Sequence, residues 1–261
     1  MEIAYWLDSP TGSVPRGARR VYLGDEACID RIPPLQDMID TARRLRDSDK
    51  QITLVTPFLT ENDLYRICEM IEALSELLSG YEVVCNDWGL LQWLTESHFA
   101  EPVVGRLLVG QATDPRLAAF NLPEWQLPHE RFVLHADGTK AALRYRRPTD
   151  ALLTHLAGCS IATPEVISFL QGLGLRRLEV SNTLQGIRMT FDTGWCVTLH
   201  LPEVPIAIAR HSWRDSGNQW LHSTFPVALY QRDNMVFYCN DEKLPNLASL
   251  GIDRLVYRTR E

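Results

Sequence analysis

The chain alternates predicted strands with predicted helices, and this pattern constrains its fold more than any other feature. Residues 51–56 form a β-rich run, and Thr60 is placed to cap the helix that follows. That helix carries apolar residues with helical spacing, namely Leu64, Ile67, Cys68, Ile71, Leu74 and Leu78. Gly80 is predicted to end it, and residues 82–85 form the next buried strand. Residues 102–109 are a further strand candidate.

A second unit repeats this order. Thr163 and Pro164 have the types expected at a helix N-cap and first helical position, and residues 177–181 form the next strand. Successive β-then-α units predict a parallel sheet with right-handed crossovers. The fold class is therefore α/β, a TIM-barrel-like parallel β/α barrel that is incomplete or distorted. No glycine-rich nucleotide loop is present to favour an open nucleotide-binding sheet.

The C-terminal part is rich in strands. After Gly186 the candidates at 187–191, 196–201 and 206–209 leave no room for helices, and a hairpin is predicted around Asp233 and Asn234. We predict a single barrel-like domain over 1–261, with β/α units in 1–185 and a strand-rich closing segment in 186–261. The segment 114–138 is predicted to be a long irregular connection.

Charge and composition exclude some classes of function. The formal net charge of −7 argues against nucleic acid as the main partner, because phosphate binding requires a basic surface. No apolar run is long enough to cross a bilayer, and the first residues have no signal-peptide pattern. We expect a cytoplasmic protein whose six cysteines are in a reducing compartment, and none of them forms a C-x-x-C pair.

Polar residues at predicted strand ends are the candidate functional residues. In a parallel barrel these ends meet at one mouth, where acids can act in catalysis and polar groups can bind substrate. The catalytic candidates are Asp25, Glu26, Asp87 and Glu179, and the substrate-binding candidates are Asn86, Arg106 and Asn182. The alternative for Asp87 and Asn182 is that they cap the helix or turn that follows.

Several motifs carry a resemblance to a known family. They are Val21-Tyr22-Leu23-Gly24-Asp25-Glu26-Ala27-Cys28, Asn86-Asp87-Trp88-Gly89-Leu90-Leu91, Leu178-Glu179-Val180-Ser181 and the segment 202–210. Together they resemble the UbiU/UbiV-like branch of the collagenase-like peptidase family. The resemblance implies a barrel fold, a four-iron–four-sulfur cluster on four cysteines, and a hetero-oligomeric partner of the same family in oxygen-independent hydroxylation.

The cysteines depart from what the resemblance implies. Cys28 occupies the first ligand position, but Ala209 and Arg210 are followed by His211 instead of cysteine, and only Cys239 lies downstream. A four-cysteine cluster is therefore not expected. A single zinc or iron on Cys28, His211 and Cys239, with Asp25 or Glu26, is one interpretation. The other is that Cys28 is an inherited buried thiol and His211 a hydrogen-bonded replacement for a lost ligand. No zincin motif or nucleophile elbow supports peptidase chemistry.

Two functions are consistent with these observations. The first is an accessory barrel protein that binds a small molecule or another protein in a biosynthetic or modification pathway. The second is a metal-dependent enzyme, either a peptidase-like hydrolase or an iron-dependent oxidative enzyme, that uses Cys28 and His211. The sequence favours the first.

Overall fold

The computed structural model describes residues 1–117, 131–135, 137–143, 149–189, 194–209, 219–221, 227–241 and 244–258. Eight parallel strands, numbered in chain order, close into a barrel: β1 (Glu2–Trp6), β2 (Arg20–Gly24), β3 (Gln51–Val55), β4 (Glu82–Cys85), β5 (Glu101–Val104), β8 (Arg177–Ser181), β9 (Cys196–Leu201) and β14 (Ile252–Arg258). Around the barrel the order is β1-β14-β9-β8-β5-β4-β3-β2. The predicted parallel β/α barrel is confirmed.

The other strands lie outside the barrel. β10 (Glu203–Ile208), β11 (Gln219–Leu221), β12 (Leu229–Arg232) and β13 (Met235–Cys239) form an antiparallel sheet in the order β10-β13-β12-β11. β6 (Arg131–Leu134) and β7 (Lys140–Leu143) form a separate hairpin. The strand-rich C-terminal part thus supplies both the antiparallel sheet and the last two barrel strands.

Helices flank part of the barrel: α1 (Leu35–Asp47), α2 (Glu61–Ser75), α3 (Trp88–Ser97), α4 (Arg106–Val109), α5 (Asp150–Leu156) and α6 (Pro164–Gly172). The N-caps predicted from sequence are confirmed, because Thr60 and Thr163 each accept a hydrogen bond from the first turn of their helix. The described residues between β1 and β2 and between β8 and β9 form no helix, so the ring of helices is incomplete. Within the described ranges, no helix combines the length and hydropathy that a bilayer crossing requires.

Three boundaries differ from the sequence prediction. The apolar run that begins at β5 leaves the barrel at Gly105 and continues as α4, and a short apolar run alone cannot distinguish strand from helix. α2 ends at Ser75, and Gly80 lies in the following turn with a φ of 64°. Residues 187–189 are not a strand, and 190–193 lie outside the described residues.

Two layers of side chains pack against the barrel wall. The inner layer fills the barrel with the buried residues Ala4, Trp6, Tyr22, Val55, Val84, Val103 and Val256. The outer layer is the larger core between the strands and the helices. Charged residues occupy the N-terminal end of the barrel, where Arg254 binds both Glu2 and Glu82. Buried side chains therefore fill the barrel at this level.

Candidate functional site

The C-terminal ends of the barrel strands bring most of the candidate residues to one mouth. Asp25 and Glu26 follow β2, Asn86 and Asp87 follow β4, Arg106 lies just after β5, and Asn182 follows β8. Parallel strands place these positions at the same edge of the barrel. Their side-chain contacts differ, and these contacts indicate what each residue can do.

Asp25 organises the turn after β2. Its Oδ1 accepts hydrogen bonds from the backbone N–H groups of Ala27 at 2.8 Å and Cys28 at 2.9 Å. Its Oδ2 lies 3.1 Å from Nε of Arg31 and 3.7 Å from Nη2 of Arg258. Both oxygens of this carboxylate are thus engaged with groups of the protein itself.

Glu26 and Arg106 form a buried ion pair. Arg106 donates from Nε to Oε2 of Glu26 at 2.6 Å, and its Nη2 donates to Oε1. Its Nη1 donates to the Glu203 carbonyl oxygen at 2.8 Å and to Oγ of Ser181 at 3.3 Å. Burial alone would raise the pKa of Glu26, but the charge and hydrogen bonds of Arg106 outweigh it and hold that pKa below its usual value.

Asn86 and Asp87 bind backbone groups. Asn86 donates to the Thr56 carbonyl oxygen at 2.9 Å and accepts from the Leu107 N–H at 3.1 Å, so it connects the ends of β3, β4 and β5. Asp87 caps α3 by accepting from the Leu90 N–H at 3.1 Å, and it also accepts from Leu59 at 3.4 Å. The helix-cap alternative for Asp87 therefore describes its observed contacts.

Glu179 lies inside the barrel, below the mouth. Its residue exposure is 1%. Oε1 accepts a hydrogen bond from the Tyr22 hydroxyl at 2.8 Å, and Oε2 lies 2.8 Å from Nε2 of His200. The ring of Trp6 packs edge-on against His200, with ring centroids 5.9 Å apart. This carboxylate faces the barrel axis, and both of its oxygens are bound.

Asparagine side chains fix the antiparallel sheet to the barrel mouth. Asn182 donates to the Asn240 carbonyl oxygen at 3.1 Å, and Asn240 donates back to that of Asn182 at 2.8 Å. Asn234 donates to the Ala27 carbonyl oxygen at 2.7 Å. Because these contacts join β8 and β2 to the two ends of β13, the sheet extends across part of the mouth.

The described residues do not fit the cluster implied by the family resemblance. All six cysteines lie within the described residues, and there no three His, Cys, Asp or Glu side chains are grouped as a metal site requires. Cys28 is buried beside the Asp25 turn, and Cys239 lies at the end of β13. His211 lies outside the described residues, so a single-metal site that includes it remains a prediction.

An open cleft lies beside this mouth, with a volume of about 250 Å³. Phe58, Leu107 and residues 205–208 of β10 form its mainly apolar part, while Arg106, Gln111 and Ser181 contribute polar groups. Gln111 is fixed in place, because it donates to the Ser181 carbonyl oxygen at 3.2 Å and accepts from the Ser181 N–H at 2.6 Å. Of the candidate residues named from sequence, Arg106 lines this cleft.

The other residues of the cleft are not among the candidate functional residues predicted from the sequence. Phe58 follows the end of β3, and its 50% exposure is visible only in the structure. Gln111 had no sequence signal. Ser181 lies at the end of a predicted strand, and nothing in the sequence marks it as part of a site.

A second groove lies on the outer surface between α3 and α6. Its volume is about 720 Å³, and the exposed rings of Trp88 and Phe169 line it. It contains none of the candidate residues from the strand ends. It therefore provides a control surface for experiments on the mouth cleft.

The charged groups at both ends of the barrel predict loss of stability in acid. Glu26, Glu82 and Glu203 are buried, which alone would raise their pKa values, but arginine partners lower each pKa below its usual value. Such carboxyls stabilise the fold above their unfolded pKa of about 4.3, and this contribution is lost as the pH falls through the folded pKa. We expect the free energy of unfolding, measured in urea, to fall steadily below about pH 4.3.

The matched control for this prediction is the Glu26→Gln/Arg106→Gln double variant, which removes one carboxyl together with its partner. Its free energy of unfolding should depend less steeply on pH in the same acid range. An unchanged slope would contradict the assignment of Glu26 as one of the titrating groups.

Comparison with known proteins finds no matching family model, no matching curated protein and no matching solved structure.

Proposed function

We propose that this chain is a cytosolic barrel protein that binds a small molecule in the mouth cleft and acts as an accessory to an enzyme. The observation that carries the proposal is the cleft itself. It lies at the C-terminal face of a parallel barrel, where such folds place their ligand sites, and it combines an apolar wall with a few fixed polar groups.

The contacts of the candidate acids support an accessory role. A general acid or base must reach a proton of the substrate. Each of the four candidate carboxylates is instead held by at least two groups of the protein: Asp25, Glu26, Asp87 and Glu179. None of the four lines the cleft. Catalysis by one of these carboxylates would require it to leave its protein partners, whereas binding of a ligand in the cleft does not.

The family resemblance extends this proposal to partners. It implies a hetero-oligomer with a related barrel protein that retains its cysteines, in a pathway of the oxygen-independent hydroxylation type. Native mass spectrometry of the co-expressed pair that detects only monomers would count against the partner. The metal-dependent enzyme has no support among the described residues, and stoichiometric iron or zinc in anaerobically purified protein would favour it.

The proposal is tested by binding of a small aromatic amide. We expect benzamide to bind in the cleft, because its ring matches the apolar wall and its amide can bond to the polar groups. Replacing Phe58 with Ala removes ring contact and should weaken binding about tenfold, equivalent to about 1.4 kcal/mol. Protein-detected NMR titration measures both dissociation constants and reports which amides shift.

The Phe169→Ala variant is the control, since it alters the outer groove and leaves the mouth cleft intact. Its affinity for benzamide should equal that of the unmodified protein. Absence of any saturable shift around Phe58 and Ser181 would contradict the proposed function, as would equal weakening by both variants.

A further inference from the structure

We propose that the mouth cleft selects uncharged ligands, and that Glu26 sets this selectivity through Arg106. The inference rests on the proposed function, because it concerns the same cleft. The ligand class is a small apolar body carrying an uncharged polar group, such as an amide, carbonyl or alcohol. Glu26 is a positioning residue here, since it does not line the cleft.

The first argument is the charge of the cleft wall. Among the described residues that line the cleft, Arg106 carries the only formal charge. Its guanidinium is compensated by two hydrogen bonds to the Glu26 carboxylate, and the side-chain exposures of the pair are 4% and 2%. A ligand in the cleft therefore meets a neutral ion pair rather than a free cation.

The second argument is that Arg106 has little remaining capacity to bind an anion. A guanidinium has five N–H donors. Two bind Glu26, and two more bind Ser181 Oγ and the Glu203 carbonyl oxygen. At most one N–H is left for a ligand. A ligand carboxylate would have to displace Glu26 in order to form the paired bonds that arginine makes with carboxylates.

Neighbouring charges are also compensated. The Glu203 carboxylate accepts two hydrogen bonds from Arg232, each of 2.8 Å. Asp114, near the Thr113 side of the cleft, is bound by Arg116. A charged ligand in this open cleft would lose part of its hydration without an opposite charge to offset that loss. An uncharged polar group avoids most of that cost.

Three probes of nearly equal shape test the selectivity: benzamide, benzoate and benzamidine, which are neutral, anionic and cationic at pH 7. We expect the unmodified protein to bind benzamide at least tenfold more tightly than either charged probe. Protein-detected NMR titration at fixed ionic strength measures the three dissociation constants. Benzoate or benzamidine binding as tightly as benzamide would overturn the inference.

The Glu26→Gln variant tests how the selectivity arises. It removes the compensating carboxylate with little change of volume, so Arg106 presents an unpaired positive charge to the cleft. We expect the preference to invert, with benzoate bound at least tenfold more tightly than benzamide. If Glu26 served only to hold the local structure, all three affinities would fall together, and that result would overturn the proposal.

A second variant tests the charge selectivity of the cleft if Glu26→Gln does not fold. The Glu26→Gln/Arg106→Gln variant removes both charges and keeps the cleft neutral, so it should retain the preference for benzamide over benzoate. Equal binding of the two would overturn the inference. Failure of all three probes to bind the unmodified protein would instead reject the proposed function, so the two failures are distinguishable.

Discussion

Replacement of Arg254 by Ala is expected to destabilise the protein by about 3–5 kcal/mol, which is a large part of the stability of an ordinary domain. The Arg254 side chain is 2% exposed and lies inside the N-terminal end of the barrel. It donates to Glu2 at 2.5 Å and to both oxygens of Glu82 at 2.6 and 2.8 Å. Without it, these carboxylates lose their shared cation within a buried site.

The charge balance of this end of the barrel explains the size of the effect. Three acids, Glu2, Glu82 and Asp253, are paired with three arginines, Arg20, Arg177 and Arg254. Removing one arginine leaves an excess negative charge that water solvates poorly. The Tyr22 hydroxyl also loses the hydrogen bond that it accepts from Nη1 of Arg254 at 3.1 Å.

Urea denaturation followed by tryptophan fluorescence measures this change. The charge-balanced Arg254→Met/Glu82→Met variant should be less destabilised than the sum of its single variants, because it removes a cation and an anion together. Arg43→Ala, at an exposed pair with Asp40, should change stability by no more than about 0.5 kcal/mol. An Arg254→Ala protein as stable as the unmodified one would contradict the assigned network.

Much of the fold could be predicted from the sequence because its signals are local. The helix capped by Thr60 and the helix capped by Thr163 each begin where side-chain types and apolar spacing indicate. The hairpin at Asp233 and Asn234 also forms as predicted, between β12 and β13. Local patterns of this kind determine elements, and repeated β/α order determines the class of sheet.

Closure of the barrel could not be predicted from local sequence patterns. Closure requires β14 to pair with both β1 and β9, and the pairing joins Glu2 to Arg254 across almost the whole chain. The antiparallel sheet lies between β9 and β14 in the sequence, so chain order does not indicate that these two strands pair. No local pattern reports such long-range pairing.

Contacts within the candidate site are likewise between residues far apart in the chain, which local patterns do not predict. Sequence order places Glu26, Arg106 and Glu179 in or just after predicted strands, but it does not reveal which of them contact each other. Glu26 and Arg106 are 80 positions apart and form one ion pair, whereas Glu179 binds Tyr22 and His200 within the barrel. The direction in which a strand-end side chain points depends on register, which the chain order alone does not give.

Gly24 links the closure of the barrel to the cleft, and its replacement by Ala should also cost about 3 kcal/mol or more. Its φ of 100° lies in a region that residues with a side chain rarely adopt. An added Cβ would overlap the carbonyl oxygen of Val55, the residue that Gly24 faces in β3. The backbone of β2 and β3 would have to separate to accept it.

Separation of β2 from β3 would also displace the residues of the mouth that follow β2. The Gly24 carbonyl oxygen accepts a hydrogen bond from Nε1 of Trp6 at 3.0 Å, and Asp25 and Glu26 follow directly in the chain. We therefore expect Gly24→Ala to lower the urea midpoint and also to weaken benzamide binding, because Glu26 would no longer hold Arg106. Gly17→Ala is the matched control: its Cβ would meet no atom within 4 Å, so it should lose neither stability nor affinity. Equal behaviour of the two variants would contradict the close approach of β2 and β3 at Gly24.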